Sequence, residues 1–416
     1  MRENKLHTPD GFKDFLPEEM FFKTETERRI EAVFNSFGYC AVKSPTLEYM
    51  EVFEGKGSMK LKQMYKYVDH DGETLVLRSD MTPAIARIAA TAFRAENMPV
   101  RLCYTVDSFR RNESFKGKAG EFTEAGVELI GVNSEEADGE VISLAIQSLL
   151  SAGLDEFVVH VGHSGFLWEL LKEAEVASPE VLDAISKGDY VRLEGLIKSV
   201  NMDSKTAEII DSIPFLIGDA GIIDKVKNII TNEKALESLS GLENIYSYVC
   251  DLNLEKYIRF DLAMTGQFDY YTGIFFKGYT HGMGFSILDG GRYNNLIAQF
   301  GKNLPSVGFA IKIDNLTAAL TRHNKNGLFQ QADTLLAYGE KGRAAALVTA
   351  NELRKNGVLI ENSLVGGDID KNIAYAKNKC LGGVLYFHDA ENVTIINVET
   401  DKKETVSVEQ LLGGRL

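Results

Sequence analysis

At 416 residues the chain is too long for one ordinary domain and predicts two or three. Its 44% hydrophobic and 25% charged residues, the lack of any run of ~18 apolar residues and an N-terminus without a signal-peptide core predict a soluble, cytoplasmic protein. A formal net charge of −15 disfavours nucleic-acid binding, because a grip on phosphates gathers Lys and Arg.

Residues 18–37 read as an amphipathic helix, with Ile30, Val33, Phe34 and Phe37 on one face and Gly38 as its stop. Strand-like segments follow at Cys40–Lys43, Thr74–Leu77, Val100–Phe109 and Gly126–Ile130, with a helix over Pro83–Arg94. A helix over 136–152 and a strand at Glu156–Val161 come next. From about 165 to 250 helical patterns dominate, with starts at Ser178-Pro179-Glu180 and Asp203-Ser204-Lys205, which predicts a helical insertion. Strands return at Arg259–Ala263, Ile274–Tyr279 and Gly284–Leu288. Gly282 and Gly290-Gly291 read as turns, and Gly308 to about Thr321 as a helix. The polar run His323–Gln331 predicts a linker.

Residues 332–416 alternate strand and helix: Thr334–Tyr338, Gly342–Lys355, Val358–Glu361, Ile369–Lys379, Gly383–Phe387 and Val393–Val398. That pattern predicts a small α/β domain with its own core. The first part, with hairpin-like strand pairs and irregularly spaced helices, predicts an α+β domain on an antiparallel sheet.

Standard catalytic constellations are missing. There is no GxxxxGK[ST] phosphate loop, GxGxxG fingerprint, GxSxG elbow or HExxH helix. Cys40, Cys103, Cys250 and Cys380 lie far apart without a CxxC pair, so buried free thiols are expected and no metal site. His160 and His163 read as turn or surface residues.

Three segments place charge where strand patterns predict burial: Leu77–Pro83, Ser108–Glu128 and Phe268–Gly273. Buried charge is costly unless paired or used. The residues alone leave two readings: structural ion pairs, or a small-molecule pocket whose acidic groups converge on a cationic ligand.

Together these segments resemble the class II aminoacyl-tRNA synthetase core, and specifically histidyl-tRNA synthetase. Pro9-Asp10-Gly11-Phe12-Lys13-Asp14-Phe15-Leu16-Pro17 resembles the family's opening. Gly38-Tyr39 through Pro45 and Glu48 resembles motif 1, the dimer-forming element. Phe109-Arg110 through Glu128 resembles motif 2. Phe268–Gly273 and Gly290-Gly291-Arg292-Tyr293 resemble the two histidine motifs, and Gly308-Phe309-Ala310 the start of motif 3. The resemblance implies a class II synthetase-like core over 1–325, interrupted by the insertion, and an anticodon-binding-like domain over 332–416.

The same comparison implies a broken ATP and carboxylate clamp. Where the family carries arginines, this chain has Glu113, Gly266 and Asn315. Arginine suits such positions because its rigid, permanently charged fork holds phosphate or carboxylate through two bonds. Phosphate-clamping arginines are worth about 10³–10⁵ in rate. The amino-acid pocket is kept in outline. Asp80 matches the residue that meets the histidine amine, Thr82 its hydroxyl neighbour, and Glu128 and Tyr270 the residues that hold the imidazole. Glu124 replaces a glutamine, Arg110 is kept, and Tyr271 follows Tyr270.

Asp80-Met81-Thr82-Pro83 with Ile85-Ala86-Arg87 is similar to a non-catalytic branch of the family, the regulatory subunits of short-form ATP phosphoribosyltransferase. That branch implies no catalysis or cofactor of its own, a catalytic short-form phosphoribosyltransferase chain as partner, a homodimer core and control by histidine. An active or divergent histidyl-tRNA synthetase is the alternative, and a stand-alone sensor or RNA-binding module a third class.

Overall fold

The computed structural model describes residues 4–54, 61–111, 119–197, 210, 212–265, 271–323 and 332–413. It divides into two units, Met1–Asn326 and Gly327–Leu416.

The larger unit begins with α1 (Pro17–Ser36), whose Pro17 sits at the first turn and whose Ile30 and Phe34 are fully buried. Short strands β1 (Cys40–Ala41) and β2 (Leu47–Tyr49) follow. Then come β3 (Lys66–Val68), β4 (Thr74–Leu77) and α2 (Thr82–Ala92). Two ten-residue strands, β5 (Val100–Phe109) and β6 (Glu121–Ile130), pair antiparallel over their whole length. Helix α3 (Glu135–Ser151) starts at an N-cap, where Ser134 accepts from Ala137 N. Strand β7 (Phe157–His163) leads into the helical insertion.

The insertion holds α4 (Ser164–Glu173), α5 (Pro179–Ser186), α6 (Tyr190–Ile197), the two-residue strand β8 (Ile217–Gly218), α7 (Gly221–Lys227) and α8 (Glu233–Asp251). Ser178 caps α5 as its Ser-Pro-Glu start predicts. The start expected at Asp203-Ser204-Lys205 lies outside the described residues. The chain returns through β9 (Ile258–Asp261), β10 (Ile274–Thr280), β11 (Leu288–Arg292), β12 (Ser306–Lys312) and α9 (Ile313–Arg322).

Among the described residues nine of these strands form a sheet in the order β1-β5-β6-β12-β11-β10-β7-β9-β8, and the other three form a small sheet in the order β2-β4-β3. All pairs of the larger sheet are antiparallel except β1–β5 and β7–β9. Side chains alternate between the two faces of a strand. Ala125, Val127 and Leu129 of β6 therefore enter the large core with α1, α3 and the insertion helices. Leu102, Tyr104 and Val106 of β5 pack on the other face with α2 and Ile297.

Several expectations need correction. Gly308 opens no helix: Ser306–Lys312 is a central strand, and the helix starts at Ile313. Its Val307, Phe309 and Ile311 are buried in the large core, and tertiary pairing on both edges overrides a pattern that was compatible with a helix. Gly290-Gly291 is not a turn but the middle of β11, and the strand expected at Gly284–Leu288 begins only at Leu288. A Cβ at Gly290 would lie 2.5 Å from the Phe276 ring, and one at Gly291 2.6 Å from the Tyr271 ring. These glycines give rings room against the sheet. His160 and His163 lie on β7, not in a turn; the His163 ring accepts from Gly165 N at 3.1 Å and caps α4. All four cysteines are free, but only Cys103 is buried, while Cys40 and Cys380 are exposed.

The smaller unit has a five-stranded sheet built from β13 (Thr334–Tyr338), β14 (Ile360–Asn362), β15 (Gly383–Phe387), β16 (Asn392–Asn397) and β17 (Lys403–Ser407), in the order β14-β13-β15-β16-β17. Helices α10 (Arg343–Lys355) and α11 (Ile369–Asn378) pack into two separate apolar clusters, and α12 (Val408–Gly413) follows the last strand. Residues 324–331 of the expected linker lie outside the described residues.

Candidate amino-acid pocket

The pocket follows from strand alternation. With Ala125, Val127 and Leu129 turned into the large core, Glu124, Gly126 and Glu128 face the other side of the sheet. Lys312 and Gly308 of β12 and Asp289 and Gly291 of β11 share that face, and the end of β4 delivers Asp80 and Thr82. The result is a narrow pocket that Asp80, Thr82, Arg110, Glu124, Glu128 and Tyr271 all line.

Glu128 is the most enclosed of these groups, at 1% exposure. Thr82 Oγ1 donates to its Oε1 at 3.1 Å, and the Tyr293 hydroxyl donates to its Oε2. Burial pushes its carboxyl up to about 8, against the pull of these two donors. The Tyr104 hydroxyl faces the same group without a well-aligned partner, although Thr82 and Glu128 are near enough to bear on its ionisation. Burial also raises Glu124, to about 7; Arg110 opposes the shift and Asp80 adds to it. Ser108 Oγ donates to Glu124 Oε2 at 2.8 Å, and Arg110 Nη2 approaches Oε1 at 3.5 Å.

Arg110 is committed to the protein. Its Nε donates to the Ser79 carbonyl at 2.8 Å, and its guanidinium stacks over the Phe122 ring at 4.8 Å. Lys312 pairs with Asp289 and donates to Ser286 Oγ at 2.7 Å. Both cations of the pocket therefore already hold protein oxygens. Asp80 accepts from Thr82 N at 2.9 Å, which fixes the turn before α2. Asp289 Oδ1 is buried without a partner among the described residues. The wall as a whole offers carboxylates and hydroxyls, which suits an amine or an imidazole better than a phosphate.

Asn315 does not face a ligand: its Nδ2 donates to the Ser286 carbonyl at 3.0 Å. The neighbouring Asp314 accepts from Thr123 N at 2.8 Å and pairs with Lys23 at 3.3 Å. Glu113, Gly266 and Tyr270 lie outside the described residues. Sequence reasoning missed Tyr293, Asp289 and Lys312 as pocket groups. The first sat in view inside Gly290-Gly291-Arg292-Tyr293, and the other two were hidden by the misread strands β11 and β12. Arg292 of the same motif turns away and forms a buried ion pair with Asp138.

The family description "Histidyl-tRNA synthetase" matches residues 11–316. The ATP phosphoribosyltransferase regulatory subunit of Acetivibrio thermocellus is 38% identical over 416 residues, covering 99% of this chain and 100% of that one. The chain belongs to the ATP phosphoribosyltransferase regulatory subunits of the histidyl-tRNA synthetase family. Among solved structures, an ATP phosphoribosyltransferase regulatory subunit/histidyl-tRNA synthetase from Bacillus halodurans is similar at 31% identity and a TM-score of 0.81, covering 92% of this chain and 98% of that one. A histidyl-tRNA synthetase from Nostoc shares the fold, at 19% identity and a TM-score of 0.80 over 99% of both chains. This family membership agrees with the α+β, class II synthetase-like architecture expected from the motifs. Among the described residues no helix is long and apolar enough to cross a membrane.

Proposed function

We propose that this chain is a cytoplasmic, non-catalytic subunit that binds a short-form catalytic ATP phosphoribosyltransferase chain, is required for its activity and makes it sensitive to histidine. The observation that carries this reading is the state of the clamp positions. Glu113, Gly266 and Asn315 stand where the synthetase motifs carry arginines. Asn315 spends its amide on a backbone carbonyl, and the remaining pocket cations, Arg110 and Lys312, are held by protein oxygens. A triphosphate would meet the acidic side chains of Asp80, Glu124, Glu128 and Asp289, and among the described residues each cation lining the pocket is already held by a protein oxygen. The amine and imidazole side fares better: Asp80, Thr82, Glu124, Glu128 and Tyr271 converge on one pocket, and Tyr270 belongs to the same proposed set. In this reading the core spans 1–325 with its insertion at about 165–250, motif 1 forms a homodimer, and 332–416 is an anticodon-binding-like domain that grips no nucleic acid.

Feedback requires histidine to bind one state of the complex better than another, and the catalytic chain must feel the difference. The deciding measurement is ATP–pyrophosphate exchange with histidine on the purified chain. We expect exchange at background level; robust exchange would return the chain to the synthetases. The companion measurement mixes it with a short-form catalytic chain. We expect co-purification, a rise in phosphoribosyl transfer and inhibition by histidine. A catalytic chain equally active alone would refute the regulatory role.

A further inference from the structure

One row of side chains crosses the sheet on the pocket face. Strand register sets Tyr104 beside Gly126, Gly126 beside Ala310, Ala310 beside Asp289, Asp289 beside Lys277, and Lys277 beside His160. Gly126 and Ala310 are small and leave room for the pocket described above. Beyond Asp289 the row continues under a second, larger cavity of about 410 Å³. Its floor is His160, Lys277, Tyr279 and Asp261, from β7, β10 and β9. Its opposite wall comes from the helical insertion, where Ile213, Leu216 and Ile217 are apolar and Ser186 and Tyr190 carry hydroxyls.

The charges on this floor are incompletely matched. Asp289, the cross-strand neighbour of Lys277, pairs with Lys312 through Oδ2, and its Oδ1 has no hydrogen-bond partner among the described residues. Lys277 makes no hydrogen bond or ion pair among the described residues, although it is half-buried. Asp261 uses Oδ1 on Ala263 N at 3.2 Å, and its Oδ2 lies 3.9 Å from His160 Nδ1, too long for a hydrogen bond. A half-buried ammonium and a carboxylate thus face one cavity from strands on either side of β7, beneath an apolar wall. A neutral ligand would leave both ends under-used, and an inorganic anion would leave Asp261 and the apolar wall unmatched.

We propose that this cavity is a second small-molecule site, separate from the Glu128 pocket, which takes a free amino acid with its carboxylate on Lys277, its ammonium on Asp261 and its side chain against Ile213, Leu216 and Ile217. The inference does not rest on the regulatory role. It stands on the cavity, the register and the unmatched charges, and holds equally for a chain that regulates nothing.

The test is calorimetric titration of the full chain with each of the twenty L-amino acids, with acetate, methylamine and inorganic phosphate as controls that carry charge of one sign only. At least one amino acid is expected to bind at a site that survives Glu128→Gln and weakens roughly tenfold to hundredfold in Lys277→Met. Because Lys277 is half-buried, Ile217→Trp serves as a second variant: Ile217 is 48% exposed, so the change narrows the mouth without disturbing the core. It should weaken the same amino acid and leave the far-ultraviolet circular dichroism unchanged. Binding abolished by Glu128→Gln but indifferent to Lys277→Met and Ile217→Trp would overturn the proposal. So would phosphate or acetate binding as tightly as every amino acid, or no amino acid binding at all.

Discussion

Glu128 shows how one residue can be legible in kind and hidden in consequence. Resemblance to the family's motif implies an imidazole partner at this position; only the fold shows it enclosed between Thr82 and Tyr293. A carboxyl raised from 4.5 to about 8 by burial stays protonated in the folded chain while the unfolded chain ionises. The unfolded state then binds fewer protons, so stability falls as pH rises from about 4.5 to 8. Glu124, raised to about 7, adds to the slope in the lower part of that window. We expect Glu128→Gln to remove its share of the slope, up to about 1.4 kcal/mol per pH unit inside the window. Urea unfolding of both proteins at pH 5, 6, 7 and 8 checks this; parallel curves would show that the folded carboxyl titrates normally. Arg292 belongs to the same scale. Removing it as Arg292→Met strands Asp138, and breaking such a buried pair costs about 3–5 kcal/mol. Asp138→Asn combined with Arg292→Met should restore part of that loss, since the stranded charge is gone.

At the level of elements, most of the chain was legible because periodicity and caps agreed. α1, α3 and the long strand β5 fall within a residue or two of their expected limits, and α5 starts where its Ser-Pro-Glu signal places it, each with apolar spacing or a Ser cap that the structure uses. Two of the failures, at β11 and β12, share one cause. Both strands carry glycine where a neighbouring strand's side chain needs the space, and glycine in a sequence reads as a turn or an interruption. A Cβ at Gly308 would overlap both the Glu128 carboxylate and the Val127 carbonyl. Gly308→Ala should therefore cost about 1–3 kcal/mol, the usual range for overpacking, and displace Glu128 from Tyr293. A lowered urea midpoint with unchanged slope would report the strain. A wild-type midpoint would mean that β6 and β12 part easily and that the floor is softer than its burial implies. The short strands β2, β3 and β8 were not legible, since two or three residues carry no period; long-range pairing alone defines them.

For the whole molecule, charge bears on the choice between the two relatives that share its fold, while length fits both. The smaller unit resembles an anticodon-binding domain, and its retention could be read as a sign of tRNA recognition. The Acetivibrio regulatory subunit aligns over the full length of its own chain, so this unit is common to both and carries no such implication. Its composition points the same way: residues 327–416 hold twelve acidic and ten basic side chains in a chain of net charge −15. A surface that neutralises several phosphates releases counterions, and its affinity falls steeply with salt, with a slope of about 0.7–0.9 per phosphate contacted. With no excess of Lys and Arg to make those contacts, the expected result is weak tRNA association at low salt that vanishes near physiological ionic strength. Filter binding of labelled histidine tRNA across a salt series measures this directly. Saturable binding that persists at about 150 mM salt with a slope of several units would establish a basic groove on this acidic protein and favour the RNA-binding reading.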